Sequence, residues 1–318
     1  MRRKQFAGTA LALALAMGLP GMTAGTSVQA WAEETEEDIL AEGYTESGEG
    51  FISTVRWCKN GENNIYGEFY FPEDFDESKS YPVVIMSHGG NVSHNFYEKA
   101  GWPSAVTELG YVAYAFDFCG GSEMGYSDLT TMDMSVETEI SDLGAVMDFV
   151  RSQPFCDQEE LYLCGQSFGG CVTGITAGRR SGDVAGVILL YPALCVVDVL
   201  HETYPSREDI PEEGGTFFNA QVSKKYFEDM YDLDVMSELS AYTGDVLIIH
   251  GINDPTIPYT YSVDALENAY GDSNSELVLI GGQKSVHAFE LMYEEGREYA
   301  RERVKDFLYS HVEKGGEE

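Results

Sequence analysis

The chain has 318 residues, 54 of them acidic and 19 basic, for a formal net charge of −35, and 43% of its residues are hydrophobic. A surface this acidic repels phosphate backbones and anionic lipid, which excludes nucleic acid and anionic membranes as partners. Length and apolar content suit one α/β domain of the larger kind, and the dense negative charge is first of all a solubility feature.

The N-terminus reads as an export signal. Arg2, Arg3 and Lys4 precede an apolar run from Phe6 to Met17, and Ala30-Trp31-Ala32 offers a small-residue cleavage site. The run is too short for a membrane span of about 20 residues, so residues 1–32 are expected to be removed and the chain secreted, with no stable membrane insertion. Their loss takes three basic residues and no acidic ones, leaving 286 residues with a charge of −38. Residues 33–49 are acidic and are expected to form a loose leader before a domain over 50–318.

Two alternating runs, Phe51–Trp57 and Tyr66–Phe71, flank the turn-like Asn60-Gly61-Glu62-Asn63-Asn64 and predict two strands. Short apolar runs follow at Pro82–Ser87, Tyr111–Phe116, Leu161–Cys164, Val184–Leu190, Val246–His250 and Leu277–Ile280. Continuous runs of this length suit strands buried on both faces. Helical periodicity lies between and after them, over Thr138–Val150, Gly170–Gly178 and Phe289–His311. Strands alternating with helices predict a mostly parallel central sheet covered on both faces. One connection breaks the rhythm. Tyr191–Asp245 is rich in turn formers and aromatics, and a connection this long predicts a cap or lid.

The six cysteines, Cys58, Cys119, Cys156, Cys164, Cys171 and Cys195, lie mostly in apolar runs and are read as mainly free thiols. No C-x-x-C pair or close histidine cluster points to a metal, and no cofactor motif stands out. Asp272-Ser273-Asn274-Ser275-Glu276 lacks the rest of a calcium loop and reads as a polar turn.

The chemistry-bearing signal is Gly165-Gln166-Ser167-Phe168-Gly169, a G-x-S-x-G pentapeptide. Alone it is weak evidence, but it falls between a strand-like and a helix-like run, the setting of a nucleophile elbow. A serine hydroxyl needs a base to take its proton. Among the six histidines, His287 alone sits in a loop after the last predicted strand, where it can reach the carboxyl edge of a parallel sheet. His88 is expected to brace its loop without proton transfer. The carboxylate partner is Asp254, in the loop after Val246–His250, preferred to Asp198 because its strand–loop context is better defined. The order Ser167, Asp254, His287 is the one this elbow uses. Two backbone donors should form an oxyanion hole: the Phe168 N–H, and the Gly90 N–H from His88-Gly89-Gly90-Asn91, with Asn91 as alternative.

With these runs, and with Asp117-Phe118-Cys119-Gly120-Gly121-Ser122 and His287-Ala288-Phe289, the chain resembles the α/β-hydrolases over about residues 50–312. It is most similar to bacterial cinnamoyl or feruloyl esterases and dienelactone-hydrolase-like carboxylesterases. Two departures stand out: a longer approach to the base through Gln283-Lys284-Ser285-Val286, and Asp117-Phe118-Cys119 in place of the commoner basic or Gly-His pattern. The resemblance implies a serine esterase acting on small-molecule esters with short or aromatic acyl groups. Two alternatives stay open: a peptidase of the same fold gripping a free amine with lid acids (Glu202, Glu208, Asp209, Glu212, Glu213), and a non-catalytic binding protein retaining the fold.

Overall fold

A computed structural model describes residues 41–43, 45–48, 51–271 and 273–315. The proposed export signal, Asp272 and most of the acidic leader lie outside them. Thirteen strands are described. β1 (Thr45–Gly48), β2 (Phe51–Val55), β5 (Gly67–Phe71), β6 (Tyr81–Ser87), β7 (Val112–Phe116), β8 (Cys156–Gln166), β9 (Gly186–Leu190), β12 (Asp245–Gly251) and β13 (Glu276–Ile280) form one nine-stranded sheet. Its order is β1-β2-β5-β7-β6-β8-β9-β12-β13. The first three pairings are antiparallel and the remaining five parallel, so the mostly parallel sheet is observed. β3 (Cys58–Asn60) pairs with β4 (Asn63–Ile65), and β10 (Gly215–Phe217) with β11 (Ala220–Val222), as separate hairpins.

Alternation along each central strand divides the core between two faces. Val83 and Ile85 of β6, with Leu161 and Leu163 of β8, pack on the side of the helices Val136–Arg151 and Ser167–Arg179. Val84, Met86, Tyr162 and Cys164 pack on the other side, against Tyr97, Trp102 and the C-terminal helix Glu294–Gly315 through Val304 and Leu308. Both strand faces are therefore apolar, which is why the sequence runs are continuous.

Two expectations need correction. Within the presumed leader, Thr45–Gly48 forms the sheet's edge strand, paired antiparallel to β2. The closing helix starts at Glu294; Phe289–Leu291 forms a separate 3-10 turn, entered through Ala288 at φ 53°. Much of the lid packs into the main core: Tyr226, Phe227, Met230, Val235 and Leu239 belong to it, and the lid's last helix, Val235–Ser240, presses Leu239 against Gly174. All six cysteines are buried free thiols.

Candidate active site

Strand β8 ends at Gln166 and the helix Ser167–Arg179 starts at the next residue, so the chain must reverse within one peptide unit. Ser167 takes φ 52°, a left-handed conformation costly for a residue with a Cβ. The two glycines of the pentapeptide are sterically required. A Cβ on Gly165 would stand 2.2 Å from Thr173 Oγ1, and one on Gly169 would stand 2.1 Å from the His88 carbonyl oxygen. Closeness of the backbone, more than freedom of φ, fixes them.

The structure brings Ser167, His287 and Asp254 together. His287 Nε2 lies 3.0 Å from Ser167 Oγ, and His287 Nδ1 lies 2.7 Å from Asp254 Oδ2. With Asp254 accepting from Nδ1–H, Nε2 is left as the acceptor for the serine proton. The Asp254 carboxylate is buried and takes the Thr256 and Ile257 N–H groups on Oδ1 at 2.8 and 2.9 Å. Burial alone would raise its pKa, but hydrogen bonds from His250 and His287 outweigh it and hold the group far below the usual carboxylate range. The loops carrying acid and base are tied together: Asn253 N–H donates to the Ser285 carbonyl at 3.1 Å, and the Asn253 amide to the Gly282 carbonyl at 2.8 Å.

Asp198 lies elsewhere, accepting from the Tyr261 hydroxyl at 2.6 Å on the exposed side of its helix. The other histidines are otherwise engaged. His250 is buried between Ser262 Oγ and the Ile257 carbonyl, His201 meets the Tyr231 carbonyl, and His311 faces Asp245. His88 is buried with Nδ1 on the Gly89 carbonyl at 2.7 Å and Nε2 accepting from the Phe118 N–H at 3.1 Å, the brace expected of it. Burial lowers its pKa and keeps it neutral.

Around the serine, Gly89 lies so close that a Cβ there would stand 3.0 Å from Ser167 Cβ. The Asn91 N–H is spent on the Gly121 carbonyl at 3.2 Å, which leaves Gly90 as that loop's candidate donor. The Phe168 N–H belongs to the first turn of a 13-residue helix, where it has no intrahelical acceptor. Phe168 directly follows Ser167, and Gly90 directly follows Gly89, which lies against the serine.

The lid supplies the neighbouring wall. Phe217 contacts Phe168 edge-on at 5.1 Å, and a Cβ on Gly90 would stand 2.4 Å from the Phe217 ring. The Asn91 amide donates to the Phe218 carbonyl at 3.0 Å, pinning the hairpin tip to the glycine loop. Behind that hairpin is a cavity of about 310 Å³, lined among others by Ala193, Val196, Leu200, Phe217, Tyr226 and Ile257, with no charged side chain among the described residues that line it. Ser167 and His287 do not line it, but its walls reach the site's frame: the Ala193 N–H donates to the Ser167 carbonyl at 2.8 Å, and Ile257 donates its N–H to Asp254. The lid acids Glu202, Glu208, Asp209, Glu212 and Glu213 are exposed and line none of it.

Two groups escaped sequence reasoning. Asp117, just after β7, accepts from His94 N–H and Nδ1 at 2.7 and 2.9 Å and from Tyr126 N–H at 2.9 Å, bracing the segment that follows the glycine loop. Glu290 is fully buried three residues beyond His287 and meets the Tyr191 hydroxyl. The His-Ala-Phe-Glu spacing was visible in the sequence, but nothing local signalled that the glutamate turns inward.

Sheet order, elbow and the Ser167–His287–Asp254 geometry define the class: an α/β-hydrolase. The chain belongs to the prolyl oligopeptidase family, whose model matches residues 99–314. Among curated proteins it is similar to a probable dipeptidyl-peptidase 5 of Emericella nidulans, 24% identical over 208 residues covering 64% of this chain and 28% of that protein. It is also similar to the acylamino-acid-releasing enzyme of Mus musculus, 21% identical over 68% of this chain and 30% of the relative. The chain thus spans less than a third of these relatives' lengths. Among solved structures, Est1E from Butyrivibrio proteoclasticus with bound ferulic acid superposes with TM-score 0.71 at 22% identity, covering 81% of this chain and 99% of that one.

Proposed function

We propose that the chain is a secreted serine esterase that cleaves short-chain or aromatic acyl esters through an acyl-enzyme. In this reading Ser167 Oγ attacks the ester carbonyl while His287 takes its proton, and Asp254 stabilises the imidazolium. The Gly90 and Phe168 N–H groups hold the oxyanion. His287 then protonates the departing alcohol, water attacks the acyl-enzyme by the reverse route, and Ser167 is regenerated. No cofactor enters this scheme. An intact Ser–His–Asp relay beside free backbone donors argues against a purely binding role.

The observation that carries the ester reading is the uncharged cavity behind the lid hairpin, whose Phe217 packs on Gly90 and Phe168. A peptidase that grips a free amine needs a carboxylate aimed into its pocket, and the lid acids are spent on the surface: Asp209 accepts from Ser206 and Glu212 from Lys224. The peptidase reading draws its support from the dipeptidyl-peptidase relatives.

A panel of p-nitrophenyl esters beside aminoacyl and dipeptidyl anilides separates the two. Ester turnover at least about a hundredfold above anilide turnover is expected, with a fluorophosphonate labelling the native chain and failing to label Ser167→Ala. Preferential cleavage of dipeptidyl anilides would overturn the ester assignment, and undiminished labelling of Ser167→Ala would overturn the nucleophile.

A further inference from the structure

Behind the Ser167–His287 pair lies a buried polar cluster that the scheme above does not use. Tyr191, the residue after β9, takes φ 37° and meets the His287 ring in an edge contact at 4.8 Å. Its hydroxyl reaches Gln166 Oε1 at 2.7 Å and Glu290 Oε1 at 2.5 Å. Gln166 directly precedes the serine, and Glu290 follows the histidine by three residues. All three side chains are 2% exposed or less. Gln166 Nε2 and Glu290 Oε2 are buried without a hydrogen-bond partner.

The proton count at Tyr191 is informative. A phenol has one proton, yet two oxygens face it. Two arrangements satisfy the contacts. In one, Glu290 is neutral and donates to the phenol, which donates to Gln166 Oε1. In the other, Glu290 is ionised and accepts the phenol's proton, and the Gln166 amide turns over so that its orphaned NH₂ donates to the phenol oxygen. The side chains thus form a two-state chain of hydrogen bonds whose state follows one carboxyl proton and whose ends adjoin the serine and the histidine.

We propose that Glu290 is a positioning residue: through Tyr191 and Gln166 it holds the His287 ring and the elbow in register, and its negative charge favours the imidazolium that forms during proton transfer. The inference rests on His287 being the general base. Its chemistry agrees with its surroundings. Burial pushes the Glu290 carboxyl up to about 7, against the opposing pull of Tyr191, its own backbone, His287 and Trp102. Tyr97 of the helix Asn95–Lys99 and Cys164 of β8 face it from the neighbouring elements. Arg297 of the C-terminal helix donates to the Glu290 carbonyl oxygen at 3.3 Å. An ionisable group this deeply buried is costly unless its charge is used.

Glu290→Gln keeps the shape and removes the charge. With a good p-nitrophenyl ester, kcat is expected to fall about fivefold or more with KM changed less than about twofold, because only the transition state carries the imidazolium. The acid limb of the kcat/KM profile should move to lower pH by about half a unit or more, since a lost anion makes the base easier to deprotonate. NMR titration of the His287 ring in Glu290→Gln and in the native chain should show the same displacement, and this readout survives even if the chain cleaves no ester. Tyr191→Phe, which removes one oxygen, should shift the ring titration in the same direction if Glu290→Gln does not fold. An unmoved ring titration, even with a changed melting temperature, would reduce Glu290 to a structural residue and overturn the proposal. A moved titration in a chain inactive on every ester would uphold the coupling and sink the esterase reading alone.

Discussion

Ser167 combines a left-handed backbone with a hydroxyl 3.0 Å from an imidazole nitrogen, and both follow from the close approach of glycine backbone on either side. The strain is held by burial of the whole turn and presents the oxygen above the sheet. Asp254 and Asp198 provide a sharp test of the acid. Asp254 alone reaches His287, so Asp254→Asn should lower kcat about 10³–10⁴-fold, because an amide can hold the ring in the wrong tautomer. Asp198→Asn weakens only an exposed bond from Tyr261 and should change kcat less than about twofold. Steady-state kinetics on one ester decides it, and a reversed ranking would reassign the acid. These three residues were legible in the sequence because each follows a recognisable apolar strand run and the catalytic edge of a parallel sheet collects such loops. Gly90 was preferred to Asn91 from the sequence, and the Asn91 N–H is occupied by the Gly121 carbonyl. Glu290 and Tyr191 were not legible, because their meaning lies in which way each side chain turns on packing.

The elements were readable to the extent that their side chains carry a periodicity. The doubly buried strands and the helix Val136–Arg151 announce themselves; β1, with the sequence Thr-Glu-Ser-Gly, carries no apolar alternation by which to read it. The brace between strands was hidden for a different reason: Glu68 on β5, His94 after the glycine loop and Asp117 after β7 meet only in the fold. His94 lies 2.9 Å from Asp117 and 3.6 Å from Glu68. Burial disfavours its charge, but the two carboxylates prevail and raise its pKa to about 9, while their own values are lowered. The raised imidazole contributes stability in full below the ordinary histidine value of about 6.5, and that contribution is lost as pH rises through about 9. The lowered carboxylates contribute above their ordinary values near 4 and lose it as pH falls further. A shift of this size is on the order of 3 kcal/mol. Thermal unfolding of the native chain should therefore weaken between pH 7.5 and 9.5, and His94→Gln, already less stable, should lose much less over the same interval. Equal alkaline losses in the two proteins would show that the brace does not carry this charge.

At the scale of the whole molecule, the lid, the sheet edge and the acidic surface act together on what reaches Ser167. The insertion was legible as a departure from the strand–helix rhythm, but its merger with the main core was not, because aromatics that bury read like aromatics that line a pocket. Both roles occur: Tyr226 and Phe227 are core residues as well as cavity walls, while Phe218 is largely exposed at the hairpin tip. The cavity's volume sets the expected selectivity. At about 310 Å³ it stands at the small end of ligand sites, which run roughly 300–1,000 Å³. Each methylene buried contributes about 0.8 kcal/mol, close to a fourfold gain in kcat/KM, for as long as there is apolar wall to cover it. Activity on p-nitrophenyl esters should thus climb from acetyl through butyryl, level off by about eight acyl carbons, and fall at least about tenfold by palmitoyl, with feruloyl esters accepted as flat groups of similar bulk. The limit should move with the wall that makes it. Phe217→Ala opens the cavity beside Gly90, so the palmitoyl-to-butyryl ratio of kcat/KM should rise several-fold in that variant while fluorophosphonate labelling of Ser167 persists. A native preference for palmitoyl, or a chain-length profile that Phe217→Ala leaves unchanged, would place the acyl group somewhere other than this cavity.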